Sequence, residues 1–208
     1  MASDFDKNVF VNCPFDDDFR QILLGIVFTI IYFGYTPRLA LERADSAESR
    51  IEKILGLIED SKFGIHDLSR IESTKTGEYY RMNMPFELGI DYGCQKLKGG
   101  KWQKKKILIM EKERYRFQKA ISDLSGSDIK HHNDEVDKAI LAVRDWFVTE
   151  ELHRGDSGNR VWDNFNDFQA YLYDQVVEQD GHSSIDDVQI PEIIHHMNHW
   201  FESAKLPQ

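Results

Sequence analysis

The stretch Asn-Val-Phe-Val-Asn-Cys-Pro-Phe at residues 8–15 decides the fold class that the sequence predicts. Its β-branched and aromatic side chains favour a short strand over residues 8–12, and the proline that follows favours a turn. A long apolar segment from about Phe19 to Phe33 comes next and has the length of a helix that is buried against a sheet. A strand, a turn and a buried helix in this order predict the first unit of an α/β domain.

The alternation of strand and helix continues along the chain beyond this first unit. Residues 35–41 and 63–68 predict the second and third strands, and residues 48–61 between them carry apolar side chains at helical spacing. A helix that contains Glu87 and a fourth strand at residues 104–110 follow. This alternation predicts a parallel sheet of four to five strands with helices on both of its faces.

The last third of the chain has a different pattern, in which apolar residues recur at helical spacing. Helices are predicted at about residues 133–152, 161–179 and 190–205. We therefore divide the chain into an α/β domain at residues 1–127 and a C-terminal helical extension at residues 128–208. The extension has so many apolar side chains that it must pack on the α/β domain or on a partner subunit.

The composition restricts the kinds of partner molecule and the cellular compartment that we expect. The chain has 36 acidic and 26 basic side chains among 208 residues, which gives a formal net charge of -10. Because nucleic acid is also negatively charged, we expect no nucleic-acid partner. The basic run from Lys96 to Lys106 is expected to be a solvated loop that leads into the fourth strand. The longest apolar segment, Ile22 to Phe33, is too short to cross a bilayer, so no membrane anchoring is expected. Two cysteines, Cys13 and Cys94, and the lack of a signal peptide predict a cytoplasmic protein.

A candidate reactive group lies in the stretch Tyr-Arg-Met-Asn-Met-Pro-Phe-Glu-Leu-Gly at residues 80–89. Pro85 suits the first turn of a helix, so Glu87 is expected in that turn, directly after a loop that can admit a ligand. The helix dipole would hold a carboxylate there in its ionised form, as a nucleophile or an electrostatic stabiliser requires. A glutamate in this position also serves in many helices only as a favourable helix start, and that alternative stays open.

Ligands of parallel sheets bind beyond the carboxyl ends of the strands, and Asn12, Asp67 and Glu87 are all expected at that edge. Cleavage of the bond between C1′ of a ribose and a base builds positive charge on the sugar, which a carboxylate such as Glu87 can stabilise or attack. Asp67, or a water that it positions, is the candidate proton donor to the leaving base. Nicotinamide leaves from a ring that is already cationic, so NAD is the easier substrate.

Other side chains near the same edge are candidates for substrate contacts. Asn12 and Ser69 can hold ribose hydroxyls, and an aromatic ring can stack on the base. A guanidinium group can bind a phosphate. The aromatic candidates are Phe15 and Tyr80, and the guanidinium candidates are Arg70 and Arg81.

Three of these segments together resemble a known superfamily. The motifs are Val-Asn-Cys-Pro-Phe at residues 11–15, His-Asp-Leu-Ser-Arg at 66–70 and Asn-Met-Pro-Phe-Glu-Leu-Gly at 83–89. Over roughly residues 8–125 they resemble the nucleoside 2-deoxyribosyltransferase-like and TIR-like proteins. These proteins have a flavodoxin-like, doubly wound fold and cleave N-glycosidic bonds in nucleosides or NAD.

The resemblance implies roles for individual residues of this chain. Glu87 takes the position of the catalytic glutamate, Asp67 that of the polar residue after the third strand, and the Pro14–Phe15 turn that of the loop on the ribose side. Asn83 begins the motif that carries the glutamate and is expected to line the substrate site. The resemblance further implies NAD or a nucleotide as substrate with no separate cofactor, a homo-oligomer, and a role in antiphage defence.

Two alternatives to an enzyme and one alternative site remain open. The chain can be a catalytically silent nucleotide-binding sensor that signals through its helical tail, or a scaffold whose α/β part only dimerises. His195 and His199 are four residues apart on a predicted helix, a spacing that zinc ligands use. No glutamate lies between them in the His-Glu-x-x-His arrangement, and we predict no metal site. These histidines and the pair His131 and His132 are instead expected to be partly exposed.

Overall fold

The computed structural model of the chain describes residues 4–43, 45–73 and 82–204. Within them, five parallel strands form one sheet in the order β2-β1-β3-β4-β5, which is the flavodoxin-like order and confirms the predicted fold class. The strands are β1 Asn8–Asn12, β2 Thr36–Arg38, β3 Phe63–Asp67, β4 Lys106–Glu111 and β5 Lys130–His131.

Helices cover both faces of this sheet. They are α1 Arg20–Tyr32, α2 Arg50–Glu59, α3 Asn83–Leu97, α4 Val136–Phe147, α5 Gly158–Tyr173 and α6 Ile190–Ala204. Helices α1 and α4 pack together on one face, and α2 and α3 pack together on the other. Helices α5 and α6 contact α1 and form a further layer outside it.

Helix α1 is the centre of the molecule, because it is covered by the sheet on one side and by helices on the other. Eleven of its 13 residues are buried, which explains why its sequence is apolar all round rather than amphipathic. The ring of Phe28 lies 5.0–5.7 Å from the rings of Phe165 and Phe168 on α5 and of Phe201 on α6. A Cβ on Gly25 would lie 2.8 Å from the Val136 side chain, so this glycine allows α4 to approach closely.

The helical extension shares its hydrophobic core with the sheet. Residues of β1, β3, β4 and all four helices α1, α4, α5 and α6 belong to one buried cluster. The strand β5 and the helix α4 both follow residue 127, so the predicted boundary separates one strand of the sheet from the other four. The extension therefore packs on the α/β part of its own chain.

Three details of the sequence prediction are corrected by the structure. The second strand is shorter than expected because Leu39 leaves the sheet and a 3₁₀ turn, Ala40–Glu42, follows. Lys105, which we expected in a solvated basic loop, is 1% exposed. His132 is fully buried rather than partly exposed. The segment before β5 forms two 3₁₀ turns, Phe117–Lys119 and Ser122–Leu124, and the strand β5 itself has two residues. Among the described residues, no helix is long and apolar enough to cross a membrane.

Candidate functional site

The end of β1 is tied to the start of α3 by the side chain of Asn12. Asn12 is opposite His66 in the parallel register of β1 and β3. Its Nδ2 group donates a hydrogen bond to the carbonyl oxygen of Met84 at 2.9 Å and lies 3.0 Å from Nδ1 of His66. Asn12 is 3% exposed and both of its donors are engaged, so it fixes the α3 start over the strand end.

Glu87 lies in the second turn of α3 rather than in its first turn, because the helix already begins at Asn83. The prediction of a first-turn glutamate was therefore wrong by one turn, although Pro85 does lie in the first turn. Glu87 is 6% exposed, and its carboxylate is 3.8 Å from the guanidinium of Arg50, at the start of α2. Burial raises the pKa of Glu87, and Arg50 opposes this rise. The helix field was expected to favour the ionised form of this group, whereas desolvation is the larger effect and favours the protonated form.

One turn further along α3, Asp91 is at the centre of a buried network. Its Oδ2 lies 2.9 Å from Nε2 of His66, and its Oδ1 lies 3.0 Å from the ammonium of Lys105. Since Asn12 donates to Nδ1 of His66, the imidazole carries its proton on Nε2 and donates it to Asp91. Lys105 also donates to the carbonyl oxygens of Ile58 and Ser61.

The charges of this network are compensated although they are buried. Burial alone would raise the pKa of Asp91, but the hydrogen bond from His66 and the charge of Lys105 lower the pKa below its ordinary value. Gly64 makes room for the network, because a Cβ at this position would lie 2.2 Å from Oδ2 of Asp91. Asp91 and Glu87 are four residues apart and therefore share one face of α3. The network anchors this face of the helix.

Asp67 points to the opposite face of the sheet from His66, as the alternation of a strand requires. Its Oδ2 lies 2.9 Å from Nε2 of His132, and its Oδ1 accepts a hydrogen bond from the backbone N–H of Ser69 at 2.9 Å. The hydroxyl of Ser69 lies 3.1 Å from the same His132 nitrogen. The backbone N–H of Asp134 donates to the other imidazole nitrogen, so Nε2 carries the proton. The carboxylate of Asp67 is thus fully engaged on the α1 side.

The remaining predicted contact residues differ in how accessible they are. Arg70 donates two hydrogen bonds to the carboxylate of Asp16, which itself caps the 3₁₀ turn before α1. Pro14 is buried, while Phe15 and Asn83 are exposed. Tyr80 and Arg81 lie outside the described residues.

A cavity of about 590 Å³ lies at the carboxyl edge of the sheet, beside β1 and β2. Phe15 is the one predicted contact residue among its lining, and Glu87 does not line it. A cavity of about 450 Å³ lies elsewhere, along the part of β4 that β5 leaves unpaired.

The structure brings Asn12 to the helix that carries Glu87, and leaves Asp67 on the other face of the sheet.

Two buried polar residues of this region, Asp91 and His132, were not predicted from the sequence. Asp91 and His132 have no local motif, and their partners lie 25 and 65 residues away in the chain. The position of Asp91 four residues after Glu87 is a sequence signal that favours a shared helix face. Among the described residues, no cluster of three or more His, Cys, Asp or Glu side chains is arranged to hold a metal ion.

The chain was compared with protein families and with characterised proteins. No protein-family model matches the chain, and no curated protein matches it either.

Proposed function

We propose that this chain is an N-glycoside hydrolase or transferase that acts on NAD or on a nucleoside or nucleotide. The observation that carries the proposal is the location of Glu87, which is buried near the start of α3 beyond the carboxyl ends of parallel strands. The resemblance of residues 8–125 to deoxyribosyltransferase-like and TIR-like proteins supports the same chemistry.

The environment of Glu87 suits the stabilisation of a cationic sugar. Charge interactions are stronger in a desolvated site than in water, so a buried carboxylate has a large effect on an oxocarbenium-like transition state. Its partner Arg50 is 58% exposed on its side chain and is 3.8 Å away, which is beyond a hydrogen bond. A positively charged substrate group can therefore replace Arg50 at small cost.

The position of Asp67 favours NAD over a nucleoside as the substrate in this proposal. Asp67 is fully buried and bound to His132 and Ser69 on the other face of the sheet from α3. A neutral base needs a proton when it leaves, whereas nicotinamide leaves from a cationic ring without one. A site that relies on Glu87 alone is thus better matched to NAD.

The location, oligomeric state and biological role that we propose rest on the resemblance and on the composition. We include in the proposal a cytoplasmic location, a homo-oligomer and a role in antiphage defence. The helical extension packs on its own α/β domain, which leaves the outer faces of α2 and α3 as candidate surfaces for a second copy.

A second candidate function is a nucleotide sensor without catalysis, and one observation favours it. Both predicted catalytic carboxylates already have partners within the chain, Arg50 for Glu87 and His132 for Asp67. A binding module would need no free carboxylate.

The experiment that tests the proposed function measures released base by chromatography after incubation with NAD and with the common nucleosides. Glu87→Gln keeps the size of the side chain and removes its charge, so we expect at least a hundredfold slower release. Glu52→Gln, at an exposed position on α2, is the matched control and should behave as the unmodified chain. Binding of NAD without release would favour the sensor, and an equal rate in both variants would rule out Glu87.

A further inference from the structure

The cavity of about 590 Å³ is bounded by three segments that are distant in the sequence. They are the turn after β1 with the start of α1, the segment after β2, and the start of α6. Two of these segments follow the carboxyl ends of strands, where α/β sheets bind their ligands. The third belongs to the helical extension, so the tail supplies one wall of a cavity whose other walls come from the sheet domain.

These walls are held together by Arg20. Its Nη2 donates a hydrogen bond to the carbonyl oxygen of Ile185 at 3.1 Å and another to that of Val188, just before α6. On the other side of the turn, Asp16 accepts two hydrogen bonds from Arg70. A cavity whose walls are fixed in this way is preformed rather than a loose gap between surface loops.

The lining combines an apolar surface with charged groups of both signs, since Asp16 and Asp17 line the cavity as well as the arginines. Leu23, Leu41 and Ile190 line it together with Phe15, which is 37% exposed. These side chains can enclose a flat ring, and Phe15 can stack on one. The volume lies within the range of pockets that bind small molecules and cofactors.

Two guanidinium groups supply positive charge. Arg43 lines the cavity, is 45% exposed on its side chain and forms an ion pair with Glu48 at 2.8 Å, so an anion can compete for it. The Nε of Arg20 is buried without a hydrogen-bond acceptor among the described residues, since the carboxylate of Asp186 is 3.6 Å away. A buried donor without a partner is costly, and an acceptor on a ligand would remove that cost.

We propose that this cavity binds a nucleotide, with the base against Phe15, Leu41 and Ile190 and the phosphate at Arg43, so that the helical tail forms part of the binding site. The class of ligand in this inference rests on the proposed function, and the location of the ligand rests on the cavity. The segment that follows Arg43 continues to Arg50, which contacts Glu87. One short stretch of chain thus connects the cavity to the proposed catalytic carboxylate.

The test is isothermal titration of the full chain with AMP, adenosine and inorganic phosphate. We expect AMP to bind at least tenfold more tightly than adenosine, because only AMP offers a phosphate to Arg43. Arg43→Ala should lower the AMP affinity about tenfold or more and leave the adenosine affinity unchanged. Leu41→Trp should abolish the binding of both by filling the cavity.

Matched controls exist for both variants. Arg38 forms a similar ion pair with Glu42 outside the cavity, and Leu97 is 87% exposed on α3, so Arg38→Ala and Leu97→Trp should bind AMP as the unmodified chain does. Unchanged AMP affinity in Arg43→Ala, or no binding of AMP or adenosine to the unmodified chain at millimolar concentration, would overturn the inference.

Nicotinamide release from NAD is measured with the same protein variants, which separates this inference from the proposed function. Arg43-dependent binding without base release would support the cavity and contradict the N-glycosidase. Base release with AMP affinity unchanged by both cavity variants would support the N-glycosidase and overturn the cavity.

Discussion

At the scale of single residues, the main feature of the site is that Glu87 is buried and has no close hydrogen-bonded partner among the described residues. Its pKa is raised by desolvation, and the cation that pairs with it within the described part of the chain, Arg50, is 3.8 Å away. A carboxylate in such a position costs folding free energy when it is ionised. Ionisable groups that are buried at a cost in folding free energy are frequent at functional sites, which supports a functional role for Glu87.

Glu87→Gln is expected to stabilise the fold at neutral and alkaline pH. Because the pKa of Glu87 is higher in the folded state, its contribution to stability is present below the ordinary glutamate pKa of 4.5 and is lost as the pH rises through the folded value. Glutamine has no charge to bury, so the variant should melt at a higher temperature than the unmodified chain at pH 8. At pH 4 the two should melt together. A lower melting temperature of the variant at pH 8 would mean that the ion pair with Arg50 outweighs desolvation.

Asp91→Ala is expected to destabilise the fold by about 3–5 kcal/mol, because it leaves the charge of Lys105 buried without its carboxylate. Asp91→Asn should cost less, since its amide oxygen can still accept the hydrogen bond from His66. Urea denaturation with an unchanged slope would measure both values. Equal stability of Asp91→Ala and the unmodified chain would show that Lys105 reaches solvent.

At the scale of elements, α3 is set on the sheet by contacts to β1 and β3. The amide of Asn12 holds the carbonyl oxygen of Met84, and His66 holds Asp91 two turns later. Gly64 in β3 has no side chain, and the carboxylate of Asp91 occupies the space that a side chain would take there. A glycine is therefore required at this position. The orientation of Glu87 therefore depends on Asn12, Gly64 and His66 as well as on α3 itself.

Two glycine-to-alanine changes, one in β3 and one in α3, are expected to change the stability of the fold in opposite directions. Gly64→Ala should cost about 3 kcal/mol, because its Cβ would lie 2.2 Å from Asp91 and 3.0 Å from His66. Gly93→Ala, on α3, meets nothing within 4 Å and should stabilise the helix by up to about 1 kcal/mol. Thermal denaturation of both variants gives the comparison. A Gly64→Ala chain as stable as the unmodified one would show that α3 can shift away from β3 at little cost.

The elements differ in how well the sequence predicted them, and the reason is physical. Strand β1 and helix α1 have continuous apolar patterns, and both lie where they were expected. Strand β5 has only two residues, which is too short for a periodic pattern to appear. The contacts of Asp67 with His132 and of His66 with Asp91 join distant parts of the chain, and a single sequence carries no signal for such pairs.

At the scale of the whole molecule, the helical tail and the sheet form one core around α1. Phe28 contacts rings from α5 and α6, and Arg20 holds the segment before α6 by two carbonyl oxygens. Without α5 and α6, the outer side of α1 would expose a large apolar surface to water. The tail is therefore needed for folding as well as for the proposed cavity.

Phe28→Ala is expected to cost about 3–5 kcal/mol, because it removes a fully buried ring from the contact between α1 and the tail. The tail and the sheet should still unfold together, so near-ultraviolet and far-ultraviolet circular dichroism should give one coincident transition. Two separate transitions, with the tail melting first, would show that the extension is an independent unit.

In the proposed reaction, the carboxylate of Glu87 acts on the anomeric carbon of a bound ribose. A crystal structure of the chain with a non-hydrolysable NAD analogue would measure this contact. We expect C1′ of the nicotinamide ribose to lie about 3–4 Å from a carboxylate oxygen of Glu87, the separation that reacting groups require. An analogue bound with C1′ beyond reach of Glu87, while Arg50 still pairs with that carboxylate, would rule out this role of Glu87.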